Sequence, residues 1–384
     1  MKRLTLIALV AVLALSLAGC SQPAAPADSG AAAKPSKVAL GFAAPLTGDN
    51  AVYGQGMKNA VEMAIAEVNA SPEGTESGIT FSIAPQDDQG DPKQAVNVAN
   101  ALVGNPDVAA VVGHFNSGCS IPASAVYNRA GMAMVSVSSN PQLTAQGFKV
   151  VNRIVPKDDA QGSFAAGLVK KLGYANVALL DDSTPYGEGL AKEFRKQYET
   201  DGGKIVVAEK IQSKETDFKA LVTKIKSLSP AAIYYGGAHV EGALLSKQAS
   251  EAGVKVPLIG GDMLYTEEFI KIAGAANAEG DICTILGLPI DQQPGGAAFI
   301  EAYKAKFNKG PEAYDSYAYD SAKVIMAAII KAGTADRVKV AEAIRAGSYD
   351  GVTGTTSFDA NGDTTNKAIS AYKVEGGKWA QIKE

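Results

Sequence analysis

The feature that most limits how this chain can fold is a sustained alternation of short β-rich apolar runs with amphipathic helical stretches. In the first half of the body the strand candidates are residues 37–44, 79–86, 108–113 and 132–137, and a helical pattern follows each. One helix start is fully marked: Asp91-Pro92 sets an N-cap acceptor before a proline at the first helical position, ahead of Ala95, Val96, Val98, Ala99 and Leu102. After a connecting strand near 150–155 the rhythm restarts. Residues 177–180, 205–208, 231–235 and 257–259 alternate with helices beginning near Tyr186, Thr216, Val240 and Thr266. Such alternation is the signature of an α/β fold with parallel sheets, because parallel neighbours need a helical crossover between them. Two such sets in tandem predict two Rossmann-like lobes with a cleft between them. No 20-to-50-residue sequence repeat accompanies them, so the repetition is of architecture and not of motif.

The beginning of the chain carries a different signal. Met1-Lys2-Arg3 precedes an apolar stretch over residues 4–15 and the ending Leu17-Ala18-Gly19-Cys20, the layout of a lipoprotein signal peptide. About a dozen apolar residues are too few for a permanent span, which needs ~20. Residues 1–19 are therefore expected to be removed, leaving Cys20 as an acylated N-terminus. Residues 20–36 form a tether of Ala, Pro, Ser, Gly and Gln, too poor in large apolar groups to offset the entropy of ordering it. The expected location is extracytoplasmic, with membrane attachment through the lipid on Cys20. Loss of Lys2 and Arg3 leaves 34 basic against 40 acidic side chains, a formal balance of −6. That acidity argues against nucleic acid as a partner.

Ligands of open α/β sheets gather at the carboxyl ends of strands, beside the free amides of helix N-termini. Two loops here occupy that place. His114-Phe115-Asn116-Ser117-Gly118 follows one strand, and Ser138-Ser139-Asn140-Pro141 follows Val137 at the end of another. Both offer hydroxyls beside amides, a combination suited to a carboxylate. Catalytic readings lack parts. The chain has only His114 and His239, with no Cys-x-x-Cys, His-Glu-x-x-His, Gly-x-Ser-x-Gly or phosphate-loop pattern. His114 is expected to be structural, below the cleft loop. Tyr-Gly-Glu-Gly at 186–189 and Tyr-Gly-Gln-Gly at 53–56 are only fragments of a dinucleotide fingerprint. Asp87-Asp88 and Asp359-Ala360-Asn361-Gly362-Asp363 lack a full calcium loop and are expected to be solvated turns. No catalytic residue, metal or cofactor is expected.

The succession Pro45-Leu46-Thr47-Gly48, Tyr53-Gly54, Asp87-Asp88 with Asp91-Pro92-Lys93-Gln94-Ala95, Val112-Gly113-His114, Pro122-Ala123, Tyr186-Gly187-Glu188-Gly189-Leu190-Ala191 and Tyr234-Tyr235-Gly236-Gly237 resembles the leucine/isoleucine/valine-binding proteins of ABC importers. The resemblance covers nearly the whole chain after the leader. It implies a type I periplasmic-binding fold: two α/β lobes joined by three crossovers, near 156–158, near 286–289 and near Ser370. Lobe 1 would then comprise 37–157 and 287–369, and lobe 2 would comprise 158–286 and 370–384.

The resemblance also implies an α-amino acid clamp. Ser117 matches the serine that binds the ligand carboxylate, and Ser139 falls where a threonine usually touches carboxylate and ammonium. Val137 would offer its carbonyl to the ammonium and Asp262 would neutralise it from the other lobe. Tyr186 and Tyr53 match aromatic positions at the cleft, and Tyr314 falls where a Phe lines the side-chain pocket. Ser138 adds a hydroxyl to the same loop. Three positions depart from the pattern: Ala238 stands where relatives carry a tyrosine, and Phe115 and Asn116 replace smaller or less polar neighbours. The function implied is capture of a small, apolar or branched-chain L-amino acid by lobe closure and delivery to an ABC permease, by a monomer. The alternative is a sensing domain of the same fold for an amino acid, amide or aromatic carboxylate. Relatives often carry a disulfide in lobe 1, but Gly90 and Asn116 stand at the matching places, so Cys119 and Cys283 are expected to be unpaired and mostly buried.

Overall fold

The computed structural model describes residues 35–383, so the leader, Cys20 and all but the end of the tether lie outside the described residues. Strands β1 (Lys37–Ala44), β2 (Thr80–Asp87), β3 (Val108–Gly113), β4 (Ala133–Ser136) and β5 (Val151–Arg153) form one parallel sheet in the order β2-β1-β3-β4-β5. β1 and β3 read as continuous apolar runs because helices cover both faces, and every residue of β3 is buried. The stretch read as a connecting strand is in fact the edge strand of this sheet: β5 is wholly buried and pairs with Met134, Val135 and Ser136.

Strands β6 (Asn176–Asp181), β7 (Lys204–Lys210), β8 (Ala232–Gly236), β9 (Leu258–Gly260) and β10 (Ile282–Leu286) run parallel in a second sheet. The chain then returns to the first sheet. Helix Asp315–Ala332 packs on helix Ala51–Ala70 and β3, and helix Arg337–Ala346 packs on β3 and β4. A separate hairpin of β11 (Ser348–Gly351) and β12 (Gly354–Ser357) follows. Finally β13 (Ile369–Glu375) and β14 (Lys378–Gln381) extend the second sheet as antiparallel strands, giving the order β14-β13-β10-β9-β8-β6-β7. Strand order reverses between β1 and β3 in one sheet and between β6 and β8 in the other, and carboxyl ends beside such reversals open a crevice. Among the described residues, no helix is long and apolar enough to cross a membrane.

The predicted cap at Asp91 forms: its carboxylate accepts from the amides of Lys93 and Gln94, which starts helix Pro92–Gly104. The end of β3 is held more elaborately. Gly113 has φ +127°, and a Cβ there would strike the Ala43 carbonyl oxygen, so only glycine fits. The next residue, His114, is wholly buried, with Nδ1 2.6 Å from Asp88 Oδ2 and Nε2 2.9 Å from the Tyr127 hydroxyl. Asp88 is therefore no solvated turn residue. It is fully buried because the imidazole replaces its water.

Replacing Asp88 by Ala should strand the His114 ring and cost about 2–4 kcal/mol of stability. Urea unfolding of wild type and variant measures it, and equal midpoints would show that this pair does not support the loop.

Candidate functional site

The hydroxyl loops predicted at the ends of β3 and β4 are pressed together by one carbonyl. The oxygen of His114 accepts from Ser120 Oγ (3.2 Å) and Ser136 Oγ (2.9 Å), with Ser138 Oγ beside it at 3.3 Å. Ser138 Oγ also donates to the Phe115 carbonyl at 2.7 Å, and its hydroxyl and that of Ser120 share a further short contact. Ser138 is thus consumed as a strut between the loops. Ser117 opens helix Ser117–Arg129, where the first amides have no partner within the helix. Its Oγ lies 3.4 Å from the Asn140 amide, and the Ser139 carbonyl accepts the Asp158 amide at 3.0 Å.

Across from these loops stand the side chains of the second sheet. Asp262 follows β9 and is buried, with Tyr186 Oη donating to Oδ1 at 2.8 Å and Tyr314 Oη donating to Oδ2. Tyr186 belongs to the second sheet's helix Pro185–Thr200, whereas Tyr314 reaches over from the N-terminal end of helix Asp315–Ala332. Burial raises the Asp262 carboxyl above the usual carboxylate range, and the two phenols oppose that rise. Tyr53 crosses the cleft in the same sense: its hydroxyl donates to the Met263 carbonyl at 2.7 Å. Its ring stacks on Phe115 at 5.1 Å, and Tyr314 meets both edge-on, 4.9 Å from Phe115 and 5.6 Å from Tyr53. These rings build an apolar wall with hydroxyls only at its far end.

One small space, a cavity of about 10 Å³, remains between the two sides. It is lined by Phe115, Asn116, Ser117, Val137, Ser138 and Ser139 from the first sheet and by Tyr186, Asp262 and Met263 from the second. Eight of the eleven residues anticipated from the sequence meet there. Tyr53 and Tyr314 stand behind the lining, reaching it through Met263 and Asp262. Ala238 does not line it. It is the N-cap residue of helix His239–Glu251, half-buried, and its amide donates to Asp182 Oδ2 at 3.1 Å.

Sequence reasoning missed Asp158. This residue begins helix Asp158–Lys171, where an acid looks like an ordinary partner for the helix dipole. In the fold it is fully buried and neither carboxylate oxygen meets a donor in bonding geometry. Burial pushes its carboxyl up to about 8; the Ser139 hydroxyl opposes the rise, Asp262 adds to it and Arg153 counters it. The space thus has the buried Asp262 carboxyl on one side and the Ser117 and Ser139 hydroxyls on the other, while Asp158 lies outside its lining. Such an arrangement complements a small molecule that carries an anion and a cation a few bonds apart. A two-sheet body with a polar space at facing strand ends is that of a binding protein that encloses its ligand.

The comparisons agree. The model of the periplasmic binding protein family matches residues 37–378, and this chain belongs to that family, which acts outside the cytoplasm. It is 35% identical over 362 residues to the leucine-, isoleucine-, valine-, threonine- and alanine-binding protein of Pseudomonas aeruginosa, covering 94% of each chain. It is 38% identical over 350 residues to Leu/Ile/Val-binding protein homolog 2 of Brucella abortus, covering 89% of this chain and 92% of the relative. Among solved structures, a leucine-binding protein LivK from Thermotoga maritima superposes with a TM-score of 0.83 at 29% identity, covering 90% of this chain and 98% of that one. LivJ of Streptococcus pneumoniae in complex with isoleucine gives 0.80 at 28%, with the same coverage. The type I periplasmic-binding fold is thus the fold of this protein.

The raised Asp158 carboxyl makes the ligand-free protein's stability depend on pH. Because its folded pKa lies above the unfolded one near 3.8, the stabilising protonated form is fully present below that value and is lost as pH rises towards about 8. The unfolding midpoint of the ligand-free protein should therefore fall across this window, and Asp158→Asn should flatten the fall. Parallel pH profiles for the two proteins would rule this out.

Proposed function

We propose that this protein is the extracytoplasmic solute-binding component of an ABC importer and captures a small apolar L-amino acid, a branched-chain one above all. The observation that carries the reading is the facing of Ser117 and Ser139 with Asp262 across one space, beside Phe115 with the Tyr53 and Tyr314 rings packed behind it. The ligand carboxylate takes the Ser117 and Ser139 hydroxyls and the free amides at the start of helix Ser117–Arg129. Its ammonium takes the Val137 carbonyl and Asp262. The aliphatic side chain lies against Phe115 and Met263, and the names of the relatives and of the isoleucine-bound neighbour support this ligand class.

Lobe 1, residues 37–157 and 287–369, carries the anion site and the aromatic wall. Lobe 2, residues 158–286 and 370–384, carries the cation site, so a ligand bridging both stabilises closure by its differential contacts with the closed state. The lipid on Cys20 holds a monomeric body near the permease that accepts the amino acid.

Calorimetry of the full chain with a panel of L-amino acids tests the reading. One-to-one binding of an aliphatic amino acid is expected, and Ser117→Ala should weaken it by about 5- to 150-fold, equivalent to ~1–3 kcal/mol, without unfolding the protein. Unchanged affinity in that variant would remove Ser117 from the pocket. Binding only of ligands without an α-ammonium would overturn the role given to Asp262.

A further inference from the structure

The Asp359–Asp363 turn is solvated over Asp359, Ala360 and Asn361, as expected, but its end, Gly362 and Asp363, is buried. Asp363 is buried, and its Oδ1 accepts from Arg153 Nε at 2.8 Å and from Thr144 Oγ1 at 2.9 Å. Lys157 Nζ lies 3.4 Å from its Oδ2. The turn is shaped for this: Asp359 accepts from the amides of Asn361 (2.8 Å) and Asp363 (3.0 Å), and the chain then pairs with β5 through Arg153 N to Gly362 O (2.7 Å) and Thr364 N to Arg153 O (2.9 Å).

The guanidinium of Arg153 is completely buried, and its remaining donors all go to one loop. Nη1 donates to the carbonyls of Ser138 (2.9 Å) and Asn140 (2.7 Å), and Nη2 donates to Thr144 Oγ1 at 2.6 Å. The two carbonyls flank Ser139. A rigid planar fork that grips the residues before and after a binding residue fixes where that residue's hydroxyl and amide point. Asp363 in turn fixes the fork, and it comes from the segment that runs on into β13 of the other sheet.

We propose that Arg153 and Asp363 are positioning residues for the ligand's carboxylate: the pair sets the Ser138–Asn140 loop from the segment that leads into the last crossover. Neither residue touches the ligand. The proposal rests on the assignment of Ser139 to the binding site, and the experiment separates the two.

Calorimetry with L-leucine would be run on the full wild-type chain, on Ser139→Ala, Asp363→Asn and Thr144→Val, and on the doubles of each of the last two with Ser139→Ala, with thermal melting of each protein measured without ligand. Asp363→Asn and Thr144→Val should each raise Kd about 3- to 30-fold while melting stays cooperative. In the background of Ser139→Ala those factors should shrink markedly, because the residue they position is already disabled. A purely structural pair would instead give factors that multiply unchanged, and that result overturns the proposal. So does wild-type affinity in both Asp363→Asn and Thr144→Val when Ser139→Ala is weak. If Asp363→Asn fails to fold, the comparison rests on Thr144→Val, which removes only the bridging hydroxyl. A Ser139→Ala variant with wild-type affinity, or a wild type that ignores L-leucine, overturns the site assignment itself and this inference with it.

Discussion

Withdrawing carboxyl groups from water is the constraint around which the rest of this structure is arranged. Asp158 and Asp262 are both buried, with almost no solvent contact. A buried carboxylate needs donors, a counter-charge or a proton. Asp262 has two phenol donors, one from each side of the cleft, whereas Asp158 has none in bonding geometry. Across the space from Asp262 stand the Ser117 and Ser139 hydroxyls, so its two sides differ in the charge they favour.

Holding the anion half in place takes two buried supports that approach it from opposite directions. From below, the His114 ring, fixed between Asp88 and Tyr127, orients a carbonyl that gathers two serine hydroxyls. From the side, the Arg153 fork takes two carbonyls of the second loop. The carbonyls of His114, Ser138 and Asn140 are thereby occupied. The supports are charged or strongly polar because loops buried in this way cannot be held by apolar packing alone.

Much of this was legible in the sequence, and the limits have physical causes. The central strands announced themselves, β1 and β3 to the residue, because burial on both faces writes a continuous apolar run. The Asp91 cap was legible because its chemistry is local. The last third was harder: helix Asp315–Ala332 is buried nearly all round, so its amphipathic period is blurred, and β13 and β14 join a sheet whose other strands lie far away in the chain. The serine loops could be found from strand ends alone, and the resemblance added Asp262 and the tyrosines. Asp158 stayed hidden because an acid opening a helix has a commonplace explanation. Asp88 and Asp363 looked like turn residues for the same reason: their partners, His114 and Arg153, are 26 and 210 positions away, and no local pattern records such a pairing.

The two cysteines of the described body, Cys119 in helix Ser117–Arg129 and Cys283 in β10, are both free and buried, and burial raises both thiols well above their ordinary range. A thiol kept neutral and out of reach neither exchanges with disulfides nor oxidises readily. The body can thus mature outside the cytoplasm with no oxidative folding step, indifferent to whether its surroundings are reducing or aerated.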